Sequence, residues 1–248
     1  VGKTEKDPSV EGCEMKKTKY PIITFLTFFF LISFAGNSYS WNDETHIAIA
    51  KAAGYYKWFN ATGADMAKLK AGKVESLNHF VDNARGTNVT PEMVFQQIKK
   101  YNHADDPKGH LYGAIIASLR DYFKEKHEGK YGEYHLAFCV HYVGDQSQPL
   151  HNTLYDSYNR KYHKTTDGII NDEVLDNMDK IKIYPIKIES EKDLAKEIAR
   201  IANLSIEKGY QLEDEKRLLT KEEAYEQISH SASLFKAILE YVEKVDQQ

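Results

Sequence analysis

The chain has 248 residues, 42% of them hydrophobic, which suits one domain with a sizeable core and excludes a disordered chain. Lys and Arg number 33 against 37 Asp and Glu, a formal charge of −4, so no overall basic surface draws nucleic acid. A polyanionic substrate would have to be attracted locally, and bound divalent cations could supply that attraction.

In chain order, Lys16, Lys17 and Lys19 precede an apolar run from Pro21 to Ala35, and Ser38-Tyr39-Ser40 places small residues where a signal peptidase inspects them. This order predicts a cleaved secretory signal over 15–40. The run is shorter than the roughly 20 residues that span a bilayer. Translation is expected from Met15, residues 1–14 have no assigned role, and Trp41 becomes the first residue of a secreted or periplasmic protein. Cleavage would remove Cys13 with five Lys and four Asp/Glu, leaving a charge of −5 and Cys139 as the single cysteine. No intrachain disulfide is then possible, and metal is the obvious alternative staple.

Past Trp41, apolar residues recur at helical spacing and the chain reads as all-α. Ile47, Ala50 and Ala53 mark a first helix. Val94, Ile98 and Tyr101 mark another, opened by Thr90 as cap and Pro91 in the first turn. Leu111 to Phe123 reads as a buried helix stopped by Gly129 and Gly132. The next begins over Tyr134–Tyr142 and is brought to an end by Gly144 and Pro149. Charged helices follow near Asp193–Lys208 and Lys221–Val245, and the alternation over Ile181–Ile188 predicts one extended piece. No repeat or linker divides residues 41–248, which are expected to form one domain. Asn-x-Ser/Thr triplets begin at Asn60, Asn88 and Asn203.

The chemistry concentrates in His141-Tyr-Val-Gly-Asp145-Gln-Ser-Gln-Pro-Leu-His151. Residues four apart share a helix face, so His141 and Asp145 can point at one ion, while the break near Pro149 lets His151 turn toward another. His163 and Asp167 repeat the spacing. A single such pair is weak evidence, since a solvated face explains it equally well.

The stretch from His141 to His151 resembles the signature shared by the bacterial zinc phospholipases C and the zinc-dependent single-strand-specific nucleases of fungi and plants. The resemblance extends to Trp41, to His46 in the first helix, to Asp65 placed fourteen residues before His79, and to the words Ala71-Gly72-Lys73 and His79-Phe80-Val81-Asp82. It implies a single-domain helical fold around three Zn2+. Asp65, His79, His141 and Asp145 would hold one zinc. Asp145 would bridge to a second, bound by His46 and by the amino nitrogen and carbonyl oxygen of Trp41, and His151, His163 and Asp167 would hold the third. It further implies a hydrolase acting on ester bonds, a phosphodiesterase that activates water between two close zincs. Asp65 would orient that water, and Lys68 would stand where a nuclease arginine contacts the scissile phosphate.

Residues matching Phe80 and Asp82 stack on and hydrogen-bond to a base in the nuclease branch, which favours a nuclease or nucleotidase with a single-stranded nucleic acid or nucleotide substrate. The short interval from His151 to His163 is closer to the phospholipase branch, whose substrate is phospholipid. A monomer is expected, with no protein partner inferred. The spacing between His46 and Asp65 is shorter than in either branch, which implies a lost or shortened helix. His103, His110, His127, His135 and His230 have no place in the ligand set, and Cys139 is expected to be core packing.

Overall fold

Side-chain caps set where four of the described helices begin. The computed structural model describes residues 1–2 and 41–247; the predicted signal segment lies outside the described residues. Nine α-helices occur among these: α1 (Asp43–Ala52), α2 (Gly63–Ala71), α3 (Lys73–Ser76), α4 (Pro91–Ile98), α5 (Leu111–His127), α6 (Glu133–Gln146), α7 (Ser157–Asp167), α8 (Glu191–Glu215) and α9 (Lys221–Asp246). Thr90, Asp156, Ser190 and Thr220 cap α4, α7, α8 and α9 by accepting from the backbone N–H three residues on. Thr220 and Glu223 complete a reciprocal capping box.

The expected all-α class holds, and no strand occurs among the described residues. The described residues 41–247 belong to one compact unit. At its centre lies α6, buried from Leu136 to Gln146 except at Phe138. It packs against α5 most extensively, and α1, α2 and α9 cover its other sides. A helix enclosed all round buries its polar residues with its apolar ones, and this is what carries His141 and Asp145 out of water. Cys139 sits in the same core, its thiol pushed up to about 12 by burial.

Three local expectations are corrected. Gly144 does not end α6, which continues to Gln146. A Cβ at Gly144 would sit 2.5 Å from His46 Nδ1, so this glycine admits the His46 ring against the helix. The helix containing Val94 ends at Ile98, before Tyr101. The Ile181–Ile188 segment pairs with no strand. Instead Lys182 and Tyr184 donate backbone N–H bonds to Ser229 Oγ (2.9 Å) and Ser233 Oγ (2.8 Å) of α9. Two residues of extended chain advance about 6.6 Å and four residues of helix about 6 Å, so alternate amides meet serines one helical turn apart.

Between α1 and α2 the chain makes only a one-turn 3-10 segment, Trp58–Asn60. This is the shortened interval before Asp65. The amide of Asn203, on α8, is committed to Val89, donating to its carbonyl and accepting from its N–H, which ties the 85–89 loop to the body.

Candidate metal centre

The site begins with α6, where His141 and Asp145 lie one turn apart and fully buried. From α1, His46 stacks its ring on that of His141, centroids 3.7 Å apart. After α3 the chain turns and brings in His79, and after α6 the 3-10 turn Pro149–His151 folds His151 back under it. Helix α2 contributes Asp65 and α7 contributes His163 and Asp167.

Asp145 is the meeting point. Its Oδ1 lies 3.4 Å from His46 Nε2 and 3.6 Å from His151 Nδ1, and its Oδ2 lies 2.8 Å from His79 Nδ1 and 3.4 Å from His141 Nε2. Three groups have ligand atoms all within 4.8 Å of one another: His46, His141 and Asp145; Asp65, His79 and His141; His151, His163 and Asp167. Eight residues singled out from the sequence as ligands are thereby brought together, with His141 shared between two groups. Trp41, the ninth, is fully buried, and its indole N–H donates to Ser147 Oγ at 3.4 Å. Its neighbour Asn42 donates its backbone N–H to the Asp167 carbonyl at 3.2 Å, which holds the start of this unit to the end of α7.

The imidazoles are oriented from behind. His141 Nδ1 meets the Ala61 carbonyl (2.9 Å), His151 Nδ1 the His79 carbonyl (2.7 Å) and His163 Nδ1 the Asn159 side-chain oxygen (2.6 Å). An oxygen acceptor fixes a proton on the nitrogen facing it, so the other nitrogen is left as the one available to a ligand. His79 is reversed: Glu75 Oε1 lies 3.1 Å from its Nε2, and Nδ1 faces Asp145. Glu75, 4% exposed, also accepts from Tyr142 Oη (2.6 Å) and Asn78 Nδ2 (3.1 Å). Sequence reasoning missed Glu75 and Asn159. The signal was present, because each stands four residues before a ligand histidine.

The electrostatics suit a cation. Burial works against the charge of Asp65, but His141, Lys68 and His79 outweigh it and hold the carboxyl well below its ordinary range. Asp145 is likewise held down, burial being outweighed by His141 and His151. Burial lowers His151 to about 4 and lowers His46 and His163 as well, so these rings are neutral. Burial pulls His141 down too, yet Asp65 and Asp145 raise it to about 10.

The donor set is one that fits a metal ion such as zinc: imidazoles and carboxylates, buried and already oriented. His151 Nε2 strengthens the fit, being buried with no hydrogen-bond partner among the described residues and 3.8 Å from Asp167 Oδ1. A buried polar atom left unmatched is costly, and a ligated ion would satisfy it.

Lys68 lies at the same place, its Nζ 2.5 Å from Asp65 Oδ1, and its charge bears on both His151 and His163. Phe80 and Asp82 are half-buried beside the cluster, on the segment whose Val81 N–H donates to the His151 carbonyl at 2.8 Å. Gly109, at φ +72°, passes so close that a Cβ there would lie 2.1 Å from the Phe80 carbonyl oxygen. Burial raises the Asp82 carboxyl, against a backbone hydrogen bond from Tyr155. Among the unassigned histidines, His110 is buried and hydrogen-bonded to Asn78 Oδ1 at 2.9 Å, which gives it a structural place.

Comparisons with protein-family models, curated proteins and solved structures found no match.

Proposed function

We propose that the protein is a secreted zinc-dependent phosphodiester hydrolase, acting on single-stranded nucleic acid or nucleotides. The observation that carries this reading is the convergence of four histidines on Asp145, with Asp65 and Lys68 alongside. Asp65, His79, His141, Asp145 and His46 would hold two neighbouring ions, with Trp41 completing the second, and His151, His163 and Asp167 would hold a third. Zinc in such sites supplies a Lewis acid that activates water and withdraws charge from phosphate oxygens.

The protein's own groups do the rest. Glu75, Asn159 and the backbone carbonyls of Ala61 and His79 keep the imidazoles aimed, so little reorganisation accompanies binding. Lys68 places a cation beside Asp65, where it can offset charge developing on a phosphate. Asp65 can hold a water by hydrogen bonding as well as ligate. Phe80 offers a ring face and Asp82 a carboxylate two residues on, which favours a base as the neighbouring group.

A second reading, a phospholipase C, is favoured by the short His151–His163 interval. Assaying purified protein beginning at Trp41, with added zinc, on single-stranded DNA, RNA and phosphatidylcholine separates the two. Cleavage of nucleic acid supports the first reading, cleavage of lipid alone replaces it with the second, and inactivity on all three removes both.

A further inference from the structure

Helix α2 is built inside out. Its charged residues Asp65 and Lys68 face the cluster with side chains 10% and 13% exposed, while Met66 and Leu69 point to water at 63% and 70%. A surface helix ordinarily shows the reverse, because burying apolar area drives folding. The pattern extends along the chain on both sides. Trp58 and Phe59 of the preceding 3-10 turn are exposed, as is Val74 of α3.

The charges interleaved with these groups have one sign. From 51 to 76 the lysines are Lys51, Lys57, Lys68, Lys70 and Lys73, whereas the only acids, Asp65 and Glu75, are turned inward. Glu133 faces this segment from α6 and pairs with Lys57 at 3.4 Å. Lys70 and Lys73 remain exposed among the apolar side chains. In a chain of net charge −4, a face both apolar and basic is a local departure.

We infer that this face, from Trp58 through Val74, docks the protein on an anionic lipid surface. Exposed apolar tips flanked by lysines match an interface whose head groups are negative and whose interior is hydrocarbon. Single-stranded nucleic acid is the other polyanion to consider, and Trp58 and Phe59 offer it ring faces, but Met66, Leu69 and Val74 carry exposed aliphatic area that matches hydrocarbon rather than stacked bases. The inference needs no metal and stands independently of which bond the site cleaves.

The test is co-sedimentation of the secreted protein, its start at Trp41 verified by mass, with phosphatidylcholine vesicles and with 3:1 phosphatidylcholine:phosphatidylserine vesicles. The double variant Met66→Asp/Leu69→Asp, Lys70→Ala and Lys73→Ala are run alongside. Both apolar positions are exposed, so the variants should keep the parent's circular dichroism. The expected result is binding to the anionic vesicles with a blue shift in Trp58 fluorescence, a loss of tenfold or more in the double variant, and a weakening of roughly fivefold for each lysine. Failure to bind anionic vesicles, or equal binding by parent and double variant, would overturn the inference. So would single-stranded DNA binding that depends on Met66 and Leu69 without vesicle binding.

Discussion

Glu75 Oε1 sits 3.1 Å from His79 Nε2, and that contact makes His79 present Nδ1 to Asp145 and Asp65, whereas His141 presents Nε2 to the same two carboxylates and His151 and His163 present Nε2 to Asp167. One buried carboxylate thus decides which nitrogen of His79 faces the cluster. Glu75→Ala is expected to weaken zinc binding about 10–100-fold, read by competition with a chelator. Glu75→Gln, which retains an acceptor oxygen, should recover most of the loss. Equal affinity in all three proteins would show that Glu75 does not orient the ring.

Zinc content and helicity should fall together. Each ligand group draws on separate elements, α1 with α6, α2 with α6, and the 149–151 turn with α7, so ions there would cross-link a chain that has no disulfide among its described residues. Metal analysis is expected to give three zinc per chain, and chelation to lower the melting temperature. Asp145→Asn should be the most damaging single ligand change, because Asp145 faces four histidines. A variant retaining three zinc and the parent's melting temperature would contradict this.

Gly144→Ala tests the packing of α1 on α6. The added methyl would overlap the His46 ring at 2.5 Å from Nδ1 and 2.8 Å from Cε1, so the ring or the helix must move. Overpacking of this kind costs about 1–3 kcal/mol, measurable by urea denaturation. One zinc should be lost with it, because His46 leaves Asp145.

The proposed substrate pocket is tested at Phe80 and Asp82. Phe80→Ala is expected to weaken nucleotide binding by about 1–3 kcal/mol with little dependence on the base. Asp82→Ala should alter base preference, because a carboxylate accepts only from edges that carry donors. Titrations with the four mononucleotides check both. Uniform effects from Asp82→Ala would mean that it acts only by releasing Tyr155.

Away from the site, Glu223 supplies an acid-dependent part of the stability. Hydrogen bonding from Arg217, with further help from the Thr220 backbone and Lys208, lowers its pKa from 4.5 to about 2. A depressed carboxylate stabilises the fold above its unfolded value, and that stability is lost as pH falls from 4.5 toward 2. Water reaches this partly exposed group, so Glu223→Gln should cost about 1 kcal/mol at pH 7, and the difference from the parent should vanish near pH 2. Parallel denaturation curves at pH 7, 4 and 2 would show it.

Periodicity alone determined the helical class and the positions of α5, α8 and α9, because one apolar face repeating every three to four residues can be buried in only one way. The i,i+4 spacing of His141 with Asp145, and of His163 with Asp167, likewise fixed two shared faces before any tertiary contact was known. Tertiary structure decided which faces meet. That His46 lies on His141 and that Asp145 collects four rings depend on separations of up to about a hundred residues, which no local pattern encodes. It also reversed the local reading of Gly144. A glycine within a helix reads as a breaker on propensity, but the close approach of a second helix makes the missing Cβ a requirement, and tertiary packing outweighs a propensity cost of about 1 kcal/mol.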